Sequence, residues 1–137
     1  MAAGNQGMLV RTVSPASAPL ACTVAAIDAN DVRPSFSNFG PRIDVFAPGV
    51  FVESAWIDGP DSTAVLSGTS MSSPHVAGLG AYLLGLGYGV PGGDALCKSI
   101  KIISTKGAVV NVMKSPNRIA FNGGGAGVIK GAEATWG

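Results

Sequence analysis

A serine in the middle of the chain occupies a position where a nucleophile could act. Residues 68–78 read Gly-Thr-Ser-Met-Ser-Ser-Pro-His-Val-Ala-Gly, a loop that runs into an apolar stretch. We expect a helix there, with Ser70 near its first turn, where backbone N–H groups have no partner within the helix. These groups and the helix dipole favour negative charge, which develops on a carbonyl oxygen when a serine attacks it. The alternative is that Ser70 only caps the helix.

A serine nucleophile needs a base to take its proton. The sequence has a single histidine, His75, five residues after Ser70. On a helix the two side chains point about 140° apart and are separated by about 7.5 Å of axial rise, so His75 cannot serve Ser70. A lysine three residues after the serine is also absent, because that position holds Ser73. We therefore interpret His75 as structural.

Short strands and two helices are predicted around this segment. β-Branched and apolar runs bounded by turn residues predict strands at residues 22–27, 43–46, 51–56, 63–67 and 118–121. Residues 1–20 and 34–41 have the composition of loops.

The two predicted helices differ in character. The helix at 71–85 is apolar nearly all round, which is typical of a helix inside a domain. The second, at about 94–105, is amphipathic, and we expect Asp94 as its N-cap. Lys98, Lys101 and Lys106 are expected on its solvent side.

Composition excludes several functions. Of the 137 residues, 47% are apolar and 12% are charged, and the net charge is +1 without any run of basic residues. This balance is typical of a globular domain and argues against nucleic acid or an acidic membrane surface as partner. The most apolar stretch is interrupted by glycines and is too short to span a bilayer, and we see no signal peptide at the start of the sequence.

Two cysteines, Cys22 and Cys97, are far apart in the sequence. Their spacing alone leaves two free thiols and one long-range disulfide about equally open. A zinc site is disfavoured because a single histidine cannot complete it with them.

Residues 68–78 resemble the serine signature of the subtilases, and further motifs follow in that family's order. These are Ala-Ala-Gly-Asn at 2–5, Ser-Pro-Ala-Ser at 14–17, Cys-Thr-Val at 22–24, Ser-Phe-Ser-Asn-Phe-Gly at 35–40 and Asp-Val-Phe-Ala-Pro-Gly at 44–49. They most resemble the fungal, proteinase K-like branch. The similarity covers residues 1–122, and the glycine-rich tail at 123–137 departs from it. The resemblance implies an α/β chain that is the C-terminal part of a three-layer fold, with a mostly parallel sheet and a buried central helix that starts at the nucleophile serine.

The resemblance also assigns catalytic roles. Ser70 would attack the scissile carbonyl of a polypeptide substrate, and the Asn5 side-chain amide with the Ser70 backbone N–H would form the oxyanion hole. Ala3 and Gly4 would line the pocket for the residue before the scissile bond, where small residues leave room for an apolar or aromatic side chain.

The same resemblance implies two structural features. It favours a Cys22–Cys97 disulfide, and it matches Asp44 and the backbone carbonyls of Pro19 and Ala21 to a structural calcium site, whose oxygen ligands suit that ion. The chemistry itself would need no cofactor.

Subtilases present Asp, then His, then Ser along the chain. This sequence holds no Asp-Ser-Gly or Asp-Thr-Gly and no His-Gly-Thr motif. We therefore expect a piece of an extracellular serine endopeptidase that is inactive alone, with the N-terminal half of the protease domain or an inhibitory propeptide as partner. The alternative is a non-catalytic binding protein on a truncated protease scaffold.

Overall fold

The computed structural model describes residues 1–89 and 91–124. Of the tail predicted at 123–137, residues 125–137 lie outside the described part of the chain. The strands are β1 (Val24–Ile27), β2 (Val45–Pro48), β3 (Val52–Ala55), β4 (Thr63–Leu66), β5 (Thr105–Lys106) and β6 (Arg118–Ile119). The helices are α1 (Thr69–Gly85) and α2 (Gly93–Ile103), and a 3₁₀ helix covers Val10–Thr12. Within the described residues, no helix has both the length and the apolar character to cross a membrane.

Four strands form a mostly parallel sheet in the order β1-β2-β6-β5. Strand β1 pairs in parallel with β2, with Val24 opposite Val45, and β2 pairs in parallel with β6. Strand β5 closes the sheet in the antiparallel direction. All four residues of β1 are buried, which explains its continuous apolar sequence, since parallel strands are usually covered on both faces.

Each face of the sheet carries its own hydrophobic core. Side chains alternate between the faces of a strand, so neighbours in β1 and β2 enter different clusters. Val24, Val45 and Ala47 pack with residues of α1 and α2 on one face. Ala25, Ile27 and Phe46 pack on the other face, with residues from the long loops. The sheet thus fixes the helices relative to the N-terminal loop.

Within residues 1–89 and 91–124, helix α1 is covered on one side only. It begins at Thr69, one residue before the serine, and its buried positions recur with helical spacing at Thr69, Ser72, Val76, Gly80 and Leu83. Gly80 lets α2 approach, because a Cβ there would lie 2.9 Å from a methyl carbon of Leu96. The other side, although apolar in sequence, is open to solvent, with large side chains such as Tyr82 and Leu86 about half exposed.

Helix α2 corrects two details of the sequence prediction. Asp94 is not the N-cap: Gly92 takes that position without a side-chain cap, and Asp94 lies in the first turn, where it forms an ion pair with Lys98 at 2.7 Å. The paired glycines before Asp94 allow the chain to enter the helix earlier than expected. Lys101 does not face open solvent, because its ammonium lies 2.7 Å from the carboxylate of Asp44. Lys98 is exposed as predicted, and Lys106 is exposed but belongs to β5.

Strands β3 and β4 form a separate antiparallel hairpin in which Val52 lies opposite Leu66. The loop at 56–62 closes it, with the Ser62 hydroxyl donating to the carbonyl of Trp56 at 2.8 Å. All eight strand residues are at least partly exposed. The hairpin leads directly into the loop before α1 and so forms one wall beside Ser70.

Candidate active site

Ser70 is the second residue of α1, and its side chain is exposed. Gly68 leads the chain into the helix with a φ of 158°, and its N–H donates to the carbonyl of Gly49 at 2.8 Å. Ser70 lines a cavity of about 310 Å³ with Val52, Glu53, Ser54, Met71, Pro74 and His75. The serine therefore lies at the N-terminal end of a helix, as the sequence predicted, and the structure adds that open space lies in front of it.

Thr69 ties the start of α1 to the N-terminal loop. Its hydroxyl accepts a hydrogen bond from the Gly4 N–H at 3.0 Å and donates one to Asn5 Oδ1 at 2.8 Å. The Thr69 backbone N–H also donates to Asn5 Oδ1, at 2.9 Å. Because Thr69 is fully buried, these bonds fix Asn5 close to Ser70 although the two residues are far apart in sequence.

The bonds of Thr69 leave two N–H donors beside Ser70. With its oxygen bonded twice, the Asn5 amide must turn its nitrogen away, toward Gly68: a Cβ on Gly68 would lie 3.1 Å from Asn5 Nδ2. The Met71 N–H is satisfied by the Gly68 carbonyl at 3.0 Å. Within residues 1–89 and 91–124, neither Asn5 Nδ2 nor the Ser70 N–H has a hydrogen-bond acceptor. Both remain available to an anionic oxygen.

Asn38 supports the loop that carries Ala3, Gly4 and Asn5. Its buried side chain accepts from the N–H groups of Gln6 and Met8 at 3.1 and 3.0 Å. Its amide nitrogen donates to the Ala3 carbonyl at 2.8 Å and to the Gln6 side-chain oxygen at 3.1 Å.

The same amide restricts Gly4, whose φ of 101° suits glycine and whose missing Cβ would collide with Asn38 Nδ2. Ala3 is fully buried and donates its N–H to Val24. Sequence reasoning missed both Thr69 and Asn38 as positioning residues. Both residues lie in motifs that resemble the subtilases, Thr69 in the segment 68–78 and Asn38 in the segment 35–40, and this position could have indicated their role.

His75 does not act on Ser70 in this structure. Its Nδ1 lies 2.8 Å from the carbonyl of Met71, one helical turn earlier, and donates to it. Both His75 and Ser70 line the same cavity, but no hydrogen bond links Ser70 to a titratable side chain in the described part of the chain. This agrees with the helical geometry used in the sequence prediction.

Cys22 and Cys97 form a disulfide with an S–S distance of 2.04 Å, which decides between the two alternatives that their spacing left open. Cys22 lies just before β1 and Cys97 on the buried side of α2. The bridge therefore fastens α2 to the edge of the sheet.

Asp44, the carboxylate of the predicted calcium site, has other partners in this structure. Both oxygens of the Asp44 carboxylate are in use: Oδ2 accepts from the Thr23 N–H at 2.8 Å and Oδ1 from the Lys101 ammonium at 2.7 Å. Calcium takes six to eight oxygen ligands. The only cluster of acidic, histidine or cysteine side chains near Asp44 in the described residues adds Cys22 and Cys97, whose sulfurs are joined to each other. The Asp44 carboxylate thus has an N–H donor at one oxygen and an ammonium at the other.

Comparison with known proteins gives a consistent result. A family model described as the subtilase family matches residues 1–89. The chain is 49% identical to the subtilisin-like serine protease AsES of Sarocladium strictum over 128 residues, which is 93% of this chain and 32% of that protein. It is 51% identical over 126 residues to subtilisin-like protease 2 of Pseudogymnoascus destructans, covering 92% of this chain and 31% of that protein. The chain thus spans about a third of the length of these curated relatives.

The fold agrees with the same assignment. The solved structure of a cold-adapted subtilisin-like serine proteinase superposes with a TM-score of 0.78 at 35% identity, covering 88% of this chain and 43% of that one. The parallel sheet, the helix that starts beside the serine and the motif order are those expected from the sequence. Sequence match, fold and site geometry together show that the chain belongs to the subtilase family.

Proposed function

We propose that this chain is the part of a serine endopeptidase that carries the nucleophile Ser70 and the oxyanion hole. The observation that supports this most directly is the double hydrogen bond from Thr69 to Asn5 Oδ1. A serine that served only as a helix cap would not need a neighbouring amide held with its nitrogen free. The exposed position of Ser70 beside an open cavity also favours a nucleophile.

In this proposal Ser70 Oγ attacks the carbonyl carbon of the scissile peptide bond, and the carbonyl electron pair moves onto its oxygen. The Asn5 amide nitrogen and the Ser70 N–H donate to that oxygen, where preorganised donors stabilise the transition state. In subtilisin, loss of one such side-chain donor lowers kcat by about 10²–10³-fold. Collapse of the intermediate expels the amine and leaves the acyl group on Ser70, which water then hydrolyses.

Proton transfer requires a base that the described residues do not bring to Ser70. In the family order, Asp and His precede Ser, so we propose that the N-terminal part of the protease domain supplies them. In subtilisin, loss of the triad histidine lowers kcat by about 10⁶-fold. We therefore expect no measurable peptide hydrolysis by the 137-residue chain alone.

The open side of α1 suits such a partner. The large apolar side chains Tyr82, Leu84 and Leu86 are 48%, 37% and 47% exposed. Covering apolar surface of this kind is favourable in water. We propose that the N-terminal part of the domain, or an inhibitory propeptide, packs near this side. No role for nucleic acid or a membrane is proposed.

Substrate selection in this proposal involves the loop at Ala3 and Gly4. The Ala3 side chain is fully buried, so the backbone of this loop, held by Asn38, would face the residue before the scissile bond. Small residues there suit an apolar or aromatic substrate side chain. The disulfide suits an oxidising, extracellular location.

A fluorophosphonate probe, which labels only activated serines, tests the proposal. We expect no labelling of the chain alone and labelling at Ser70 when a chain supplying the N-terminal part of the domain is added. Ser70→Ala should abolish the label, and Asn5→Ala should slow it strongly. Absence of labelling in an assembled complex would contradict the proposal and favour a non-catalytic binding protein on this scaffold.

A further inference from the structure

Lys101 forms a partly buried ion pair with Asp44 between α2 and the start of β2. The two side chains are 27% and 19% exposed, and the ammonium lies 2.7 Å from Asp44 Oδ1. The other ion pair in the described part of the chain, Lys98–Asp94, is on the same helix but is much more exposed, at 65% and 43%. Lys101 is thus the α2 lysine that leaves the solvent side to meet an acidic group on another element.

The disulfide explains why Lys101 reaches Asp44. Cys97 and Lys101 are four residues apart on α2, so their side chains lie on the same face of the helix. The bridge from Cys97 to Cys22 holds this face over the segment that contains Thr23 and faces Asp44. The carboxylate, both sulfurs and the ammonium are therefore brought together by one covalent constraint.

We propose that the Lys101 ammonium replaces a metal ion as the counter-charge of Asp44, so that this chain does not use calcium at that position. Calcium would have to lie about 2.3–2.6 Å from a carboxylate oxygen. An ammonium already 2.7 Å from Oδ1 occupies that space and would repel a second cation. The other oxygen, Oδ2, is committed to the Thr23 N–H at 2.8 Å.

The test compares calcium binding by wild type and by variants of the full chain, measured by equilibrium dialysis with radioactive calcium. Lys101→Met keeps the apolar stem and removes the charge, and Lys98→Met is the matched control on the same helix. We expect wild type and Lys98→Met not to bind calcium through Asp44. Lys101→Met should bind it, and Asp44→Asn in that background should abolish the binding.

A second readout is thermal unfolding in excess calcium or in chelator. Wild type should melt at the same temperature in both, whereas calcium should raise the Tm of Lys101→Met by about 5 °C, since a ligand well above its Kd stabilises the folded state that binds it. Calcium binding by wild type that Asp44→Asn abolishes would overturn the proposal, even if Lys101→Met failed to fold. A folded Lys101→Met that is as indifferent to calcium as wild type would also overturn it. Neither measurement depends on peptidase activity.

Discussion

The clearest test of how the site is supported is to replace Asn38 by aspartate. The Asn38 side chain is fully buried, and its amide nitrogen faces two oxygens, the Ala3 carbonyl at 2.8 Å and the Gln6 side-chain oxygen at 3.1 Å. Asn38→Asp keeps the size and shape but places a carboxylate oxygen opposite those acceptors. If the new carboxyl group is protonated, it can donate a hydrogen bond to one of these oxygens. If it is ionised, its negative charge is buried and faces two oxygen acceptors, which is unfavourable.

This geometry sets the sign of the pH effect. The Gln6 and Met8 N–H groups that donate to the other oxygen favour the ionised form, but burial and the two facing oxygens favour the neutral acid more strongly. The pKa of the introduced Asp in the folded state should therefore rise above its ordinary value of about 3.9. Below about pH 4 both folded and unfolded states are protonated, and the variant should be only mildly less stable than wild type. As the pH rises, the unfolded state ionises first and the variant loses stability until the folded-state pKa is passed.

The expected loss of stability follows from the shift in the pKa of the introduced Asp. Buried carboxyl groups shift by up to about 3–5 units, and each unit corresponds to about 1.4 kcal/mol. A shift of about two to three units gives a loss of about 3–4 kcal/mol at neutral pH, a large fraction of the stability of a small domain. In urea this corresponds to an unfolding midpoint lower by about 1–4 M.

The assay is urea unfolding followed by far-UV circular dichroism at about pH 4 and about pH 7, with wild type subtracted at each pH. Asn122→Asp is the matched control, because Asn122 is exposed and, among the described residues, its side chain is hydrogen-bonded only through its oxygen, which accepts from the Gly124 N–H at 3.0 Å. Two results would refute the reasoning: a loss at neutral pH no greater than in the control, or a loss that does not shrink on acidification.

Three further contacts can each be tested by substitution and urea unfolding. Thr69→Val removes the hydroxyl that joins Gly4 to Asn5 and should lose about 2–3 kcal/mol of stability. Thr69→Ser keeps the hydroxyl and should stay within about 1 kcal/mol of wild type. Equal losses in the two variants would contradict the role of the hydroxyl. Replacing Cys22 and Cys97 by alanine opens a link with a sequence separation of 75 and should lose up to about 4.5 kcal/mol; a loss below about 1 kcal/mol would count against it. Arg33→Met leaves the carbonyls of Pro34, Ser37 and Asn111 without their buried donor and should lose about 3 kcal/mol of stability. Arg33→Lys should not restore this stability, because one ammonium cannot replace the guanidinium fork. A lysine variant as stable as wild type would refute this explanation.

Local sequence pattern predicted the main elements. Apolar β-branched runs located β1 and β2 to within two residues at each end, and the change to a continuous apolar stretch located α1. Boundaries were less accurate where turn chemistry decided them, as at Asp94, which lies inside the first turn because Gly92 serves as the cap. The strand at Arg118–Ile119 is shorter than expected, since its length depends on pairing with β2 and β5 rather than on its own residues.

The sequence by itself determined the family, the serine and its place at a helix start, because these depend on contiguous residues whose spacing sets the local backbone. Only the tertiary structure decided which groups hold the site. Thr69 is hydrogen-bonded to Asn5, 64 residues away in the sequence, and Asn38 to Ala3, 35 residues away. Lys101 is paired with Asp44, 57 residues away. Such contacts join a side chain to a loop that is distant in sequence. They form only when the sheet and the disulfide have fixed both partners, so no local propensity encodes them.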